Sequence, residues 1–230
     1  MLYHDFEQAF EDKFGDEWNF IYSLNQDRLK LKNKRIAIKK LAIIIPAVFQ
    51  ISRQQSFHGM TLRDLSLATG ISMGGLYKYF SNKEDLIIMI HNALVKMTAS
   101  CLETVVESDP LKALALQMQY HLYISERLKK WFYFVFMETK HLDKPLLTEF
   151  VQSEKLMESV MIKHLITANN AGLCQAQSPF FTAATLKAIL QEWYLKPHKY
   201  AHEGITVEQY SELLISTMHR LIGINNGINK

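Results

Sequence analysis

Apolar residues along most of this 230-residue chain recur at three- and four-residue spacing, and strand-like alternation is almost absent. That period lines side chains along one face of a helix, so the pattern predicts an all-α fold. Glycine and proline are sparse and fall mostly where helices should start or stop. Asp109-Pro110 and Ser178-Pro179 each set a capping residue before a proline at the first helical position, where the missing N–H is harmless. Asn170-Ala171-Gly172 reads as a helix stop. Thr206 and Gln209 fit a capping box ahead of a periodic run that ends at Gly223. The predicted helices span 33–54, 62–68, 73–79, 83–106, 110–124, 126–139, 144–169, 179–196 and 207–222. Pro46 lies inside the first, and an interior proline predicts a kink or break, at a cost of ~3 kcal/mol or more. Among the first thirty residues Phe6, Phe10, Phe14 and Trp18 recur every four positions, which would stack them on one helical face. That segment is either a helix docked on the neighbouring domain or a partner-binding arm.

Composition adds bounds. At 48% hydrophobic the chain can bury a sizeable core, as one large domain or two modest ones. No uninterrupted apolar run approaches the roughly 18–20 residues of a membrane span. The acidic N-terminus, seven acids against Lys13 alone in residues 1–27, lacks the basic-then-apolar order of a secretory signal. Cys101 and Cys174 have no CxxC spacing, so reduced thiols and a cytoplasmic location are expected. Charge is uneven: residues 28–83 hold eleven Lys or Arg against one acid, Asp64. A basic block of this kind is either a footprint for a polyanion or a solvated lysine-rich helix. The pattern inside the block separates the two.

That pattern is a helix-turn-helix over 61–80. Thr61 caps a helix with Asp64 three residues on. Leu62 and Leu65 face inward, Ser66 is small, and Gly70 suits a tight turn. Ser72 caps the second helix, and Ile71 and Leu76 are the next buried positions. The stretch Phe57–Leu86, with Thr-Leu-Arg-Asp-Leu, Thr-Gly-Ile-Ser, Leu-Tyr-Lys-Tyr-Phe and Asn-Lys-Glu-Asp-Leu in that order, resembles the DNA-binding domain of TetR-type transcriptional regulators. The resemblance implies an N-terminal three-helix DNA-binding domain followed by a divergent helical domain that dimerises and binds a small molecule. Here that division would be a 1–32 acidic-aromatic extension, a 33–82 DNA-binding domain and an 83–230 effector and dimerisation domain. The chain departs from the family at Pro46, inside the first helix, at Ser56, where glycine is common, and at Ser66, where alanine is common. It also departs at Gly74-Gly75, which open the recognition helix.

Roles follow from chemistry. A recognition helix enters the major groove with its N-terminus nearest the base edges. Ser72, Met73, Gly74 and Gly75 are therefore the candidates for base contact, Met73 by an apolar contact such as a thymine methyl. Tyr77, Lys78 and Tyr79 are candidates for phosphates, as are Thr61 and Arg63 at the preceding helix start. Lys83 matches in position the family's phosphate-contacting lysine. The two glycines cost roughly 1 kcal/mol each against alanine, offset by close approach to DNA or tolerated by packing.

A recognition helix reads few bases, so a homodimer on a palindromic operator in double-stranded DNA is expected. Helices 179–196 and 207–222 offer its faces, with Phe180, Phe181, Leu186, Ile189, Leu190, Trp193 and Tyr194 on one. Tyr210, Leu213, Leu214, Thr217, Met218 and Leu221 lie on the other, and an intramolecular core must claim some of these. In the middle helices Met118, His121, Trp131, Phe134, Val135, Met137 and His141 form an aromatic, Met-containing set suited to a small hydrophobic effector or to core packing. No catalytic motif appears: GxSxG, HExxH, a Walker loop and GxGxxG are all absent. His198 and His202 sit four apart without a carboxylate or cysteine partner, so neither a metal nor a cofactor is expected. A ligand-responsive regulator is the leading reading. The alternatives are a helical apolar-ligand-binding protein, or an interaction module, with a helix-turn-helix that does not bind DNA.

Overall fold

The structure is a computed structural model that describes all residues except 28, 32, 140, 141, 143 and 225–230. Among the described residues there are helices and no strand: α1 Tyr3–Phe14, α2 Glu17–Asn25, α3 Lys34–Gly59, α4 Leu62–Thr69, α5 Met73–Leu76 and α6 Lys83–Leu102. They continue with α7 Pro110–Arg127, α8 Lys129–Glu138, α9 Lys144–Asn170, α10 Pro179–Leu195, α11 Pro197–His202 and α12 Val207–Leu221. Each helix expected from periodicity is present, and the short α11 is an addition. The capping signals act as read: Asp109 accepts from the N–H groups of Leu111 and Lys112, Ser178 from Phe181, and Thr206 and Gln209 form a reciprocal box.

Two features differ from expectation. The N-terminal aromatic repeat is divided, because Gly15, with φ 71°, ends α1 and Asp16 caps α2 by accepting from the Asn19 N–H at 2.6 Å. Phe14 and Trp18 therefore lie on different helices. The helical assignment of α3 runs through Pro46, and its one pair of non-helical dihedrals is at Ser56, with φ 63° and ψ 158°. Pro46 is exposed, while Ile44, Ile45, Val48 and Phe49 around it are buried. Burial of those neighbours opposes the loss of one backbone hydrogen bond on the open face.

The chain forms two compact units. One, the helix-turn-helix unit, comprises residues 8–97 and 130–147. In it α3 packs against α2 and α4, and α4 against α5. Phe49 is edge-on to Trp131 at 5.5 Å and tilted on Phe134 at 5.1 Å, Phe57 meets Phe134 at 5.7 Å, and Trp18 meets Trp131 at 5.7 Å. These aromatic contacts anchor α8 along α3 and hold α2 in place. The first fifteen residues of α6 also belong to this unit, with Leu86, Ile87 and Ile90 fully buried. By length and composition α6 is apolar enough to cross a membrane, and 56% of its apolar window is buried inside the protein.

The other, the bundle unit, comprises residues 1–7, 98–129 and 148–230. Here α7 packs on α10 and α12, and α10 on α11 and α12. Phe6 is edge-on to Tyr120 at 5.9 Å, and the Tyr123 hydroxyl donates to the Met1 carbonyl at 3.2 Å. Trp193, Tyr200 and Tyr210 form a mutual ring cluster, tied by the Trp193 Nε1–H to Glu126 at 2.6 Å and the Tyr210 hydroxyl to the Ile189 carbonyl at 2.7 Å. The apolar residues of α10 and α12 divide. Leu186, Leu190, Trp193, Tyr194, Tyr210, Leu214 and Met218 are buried within the unit, so intramolecular packing claims them. Phe180, Phe181, Leu213 and Leu221 point outward, Phe181 being 70% exposed. Cys101 and Cys174 are both buried and are not joined in a disulfide.

Candidate DNA-binding site

The scaffold of the site is built by short-range hydrogen bonds. Thr61 accepts from the Asp64 N–H at 3.1 Å, and Asp64 accepts from the Thr61 N–H at 2.8 Å and the Thr61 hydroxyl at 2.7 Å. Those bonds, the backbone one first, hold the Asp64 carboxyl below its usual range. The single acid of the basic segment is thus committed to a cap. Gly70 closes α4 in the left-handed region, at φ 65°. The Ser66 hydroxyl donates to the Ile71 carbonyl at 2.7 Å. Ser66 is therefore more than a small contact residue; it fastens the turn, which alanine could not do.

Ser72 caps α5 by accepting from the Gly75 N–H at 3.2 Å. The α-helical part is one turn, shorter than the expected 73–79, and continues as tight turns: Tyr77 N–H to Met73, Lys78 N–H to Gly75 and Tyr79 N–H to Leu76. The two glycines differ. A Cβ on Gly75 would lie 2.8 Å from Ile71 Cγ2 and 3.2 Å from Ser72 Oγ, so packing inside the chain demands glycine there. A Cβ on Gly74 would meet nothing within 4 Å.

Leu65, Leu76 and Phe80 are buried beneath the turn. Thr61, Arg63, Ser72, Met73, Gly74, Tyr77 and Lys78 are exposed, and Gly75 is half-buried. Two expected contact residues are placed otherwise. Tyr79 is packed inward at 5% exposure, and burial pushes its hydroxyl above the ordinary value. The Lys83 ammonium donates to the backbone carbonyls of His58 and Met60, the latter at 3.3 Å, and lies over the Phe57 ring. It closes the C-terminal end of α3, where the helix dipole favours a cation. One residue outside the expected set joins the site: the Lys30 N–H donates to the Lys78 carbonyl at 3.0 Å. With Leu29 buried as its anchor, this bond brings the exposed Lys30 beside the end of the recognition helix. The basic run before α3 was the sequence signal for it.

The residues expected to hold an effector fall in both units. Met118 and His121 are buried in the bundle unit, where desolvation, and secondarily Lys187, lowers the His121 pKa to about 3. Trp131, Phe134, Val135 and Met137 belong to the helix-turn-helix unit. Trp131 and Phe134 are packed on Phe49, which makes them core, while Phe134 and Met137 also line a cleft. His141 lies outside the described residues. Among the described residues no group of three His, Cys, Asp or Glu is placed to hold a metal ion.

Residues 44–90 match the family model for bacterial regulatory proteins of the tetR family. This segment is similar to the DNA-binding domain of TetR-type transcriptional regulators. Solved structures of TetR-type proteins share the chain's fold. A tetR-family regulatory protein from Rhodococcus RHA1 superposes with a TM-score of 0.71 at 13% identity, over 82% of this chain and 99% of that one. AibR, in complex with isovaleryl coenzyme A and operator DNA, gives 0.65 at 17% identity over 80% and 98%. The ketosteroid transcriptional regulator KstR2 of Mycobacterium tuberculosis gives 0.65 at 12% identity over 85% and 96%. A search of curated proteins finds none that matches.

Proposed function

We propose that this chain is a TetR-type regulator, a homodimeric repressor that binds a palindromic duplex operator and leaves it on binding a small, largely apolar effector. The observation that carries the reading is the open face of α4 and α5. Arg63, Lys78 and Lys30 present cations, Thr61, Ser72 and Tyr77 present hydroxyls, and Leu65 and Leu76 turn inward. A face of that kind holds phosphates and brings Met73 and Gly74 to base edges. In the division of labour, residues 33–82 hold DNA and 83–230 dimerise and sense the effector. The 1–32 extension supports the recognition helix through Lys30. The exposed Phe180, Phe181, Leu213 and Leu221 supply the apolar patch for a second copy. The neighbours AibR, seen with an acyl coenzyme A and operator DNA, and KstR2, a ketosteroid regulator, make an apolar effector the expectation. A regulator of this kind works in the cytoplasm, beside its operator.

Selection of bound genomic fragments followed by gel-shift tests the reading. A single palindromic site should be retained, and affinity should fall by roughly 10²–10³ between 50 and 200 mM salt as four to six neutralised phosphates per dimer release counterions. Lys78→Ala should flatten the salt dependence. Affinity that is flat in salt, or retention without sequence preference, would reject it.

A further inference from the structure

We propose that a cleft between α3 and α8 binds a small single-ring aromatic acid bearing a hydrogen-bond donor opposite its carboxylate. The cleft lies within the helix-turn-helix unit, and its volume is about 160 Å³. An apolar cavity of about 150 Å³ accommodates benzene, so the space suits one ring.

The lining sets the chemistry. Phe49, Phe134 and Met137 form an apolar floor. Phe49 and Phe134 are held against each other at 5.1 Å and braced by Trp131 and Phe57, so this floor is preorganised. Deeper polar groups are unsatisfied. Glu138 is 5% exposed, and its Oε2 has no hydrogen-bond partner among the described residues; the same is true of the Ser52 hydroxyl. A buried carboxylate oxygen without a donor is costly. A ligand O–H or N–H directed at Glu138 removes that cost, and Ser52 can complete the ring of hydrogen bonds. At the mouth stand two exposed cations, Arg53 and Lys130, with the Arg53 guanidinium over the Tyr133 ring at 5.9 Å. A cationic ligand would be repelled there, and a carboxylate held. A donor at one end, an anion at the other and a ring between them describe a para-hydroxybenzoate-like molecule.

The place of the cleft gives it meaning. Ser52, Arg53 and Ser56 are three of its lining residues, and Ser56 is the position where α3 leaves helical geometry just before α4. A ligand gripped there acts on the joint between the scaffold helix and the DNA-reading helices. Only that consequence rests on the effector reading above; binding itself does not.

The test is calorimetric titration of the full chain, without DNA, with 4-hydroxybenzoate, benzoate and phenol. The hydroxybenzoate should bind saturably, and benzoate and phenol should each bind at least about tenfold more weakly, as loss of one hydrogen bond to a charged group requires. Glu138→Gln should abolish the preference for hydroxybenzoate over benzoate, and Arg53→Ala the preference over phenol. Ser52→Ala, a change too small to threaten folding, should weaken hydroxybenzoate binding. No saturable binding at millimolar concentration, equal binding of all three compounds, or unchanged affinity in both Glu138→Gln and Ser52→Ala would overturn the proposal. Gel-shift measures operator binding separately, so its failure with intact ligand binding would strike only the repressor reading, and the converse result only this one.

Discussion

In the helix-turn-helix unit the unusual features lie in the backbone. Left-handed glycines occur in both units, but here Gly75 stands where a Cβ has no room, and Ser56, which is not a glycine, adopts dihedrals suited to one. In the bundle unit they lie in side chains. Adjacent phenylalanines face solvent at the start of α10, while His121 is enclosed in the core as a neutral imidazole. The contrast fits two kinds of partner. A DNA-reading surface must bring the main chain close to a fixed, charged groove, so it is shaped by turns and glycines. A surface for a second copy gains from apolar area, so it is shaped by large side chains.

The outer face of the bundle unit gives the largest effect that can break this contrast. Replacing Phe180 and Phe181 together by aspartate should raise the dissociation constant of the proposed homodimer about 100-fold or more, because each aromatic ring offers enough apolar area to matter on its own. Sedimentation reads the dissociation, and the melting of isolated protomers should change little. A dimer that persists would place the interface elsewhere and leave the exposed rings unexplained.

The glycine pair sharpens the other side. Gly75→Ala forces its Cβ to within 2.8 Å of Ile71, and should destabilise the fold by about 1–3 kcal/mol in urea titration, the usual range for overpacking. Gly74→Ala meets nothing, and should stabilise by up to about 1 kcal/mol through helix propensity. It should nonetheless weaken operator binding, since its methyl group stands on the face proposed to meet DNA. Equal operator affinity in Gly74→Ala and the parent would show that the main chain does not approach DNA at this point.

His121 provides a smaller effect on the bundle side. Its folded-state pKa, lowered to about 3, is below the ordinary 6.5. The unfolded chain therefore takes up the proton first. Stability from the neutral imidazole is complete above pH 6.5 and is lost progressively as pH falls towards 3. Between about pH 7.5 and pH 5.5 the loss should be about 1 kcal/mol, and His121→Gln should remove most of that decline. The same slope in both proteins would assign it to other groups.

The smallest effect is at Ser56. Its φ of 63° with ψ of 158° belongs to a region used almost only by glycine. Ser56→Gly should stabilise the helix-turn-helix unit by about 0.5–1 kcal/mol, the relief of strain less the added chain entropy. A destabilised variant would mean that the bond from the Gly59 N–H to the Ser56 hydroxyl, at 3.3 Å, outweighs the strain.

What was legible in the sequence was local. Thr61 with Asp64, Ser72, Gly70, and the Asp109-Pro110 and Ser178-Pro179 starts act within about four residues of themselves. Their geometry depends on short-range hydrogen bonds that every copy of the pattern can make. The helix-turn-helix and the all-helical class followed from those signals and from the three-and-four period. Longer-range contacts decided the rest. Lys83 reads as a phosphate ligand along the chain, yet its ammonium is engaged by carbonyls 23 and 25 residues earlier. Tyr79 looks like a hydroxyl on an open helix, but shortening of α5 to one turn carries its ring inward. Pro46 signals a break that burial of its neighbours opposes, and the one pair of non-helical dihedrals in α3 lies elsewhere, at Ser56. The aromatic set of the middle helices reads as one lining, yet it is shared between two compact units, with Glu138 left in the wall of the cleft. Composition and spacing name such residues. Which of them meet is fixed by packing over long separations in the chain, where each contact depends on all the others being made.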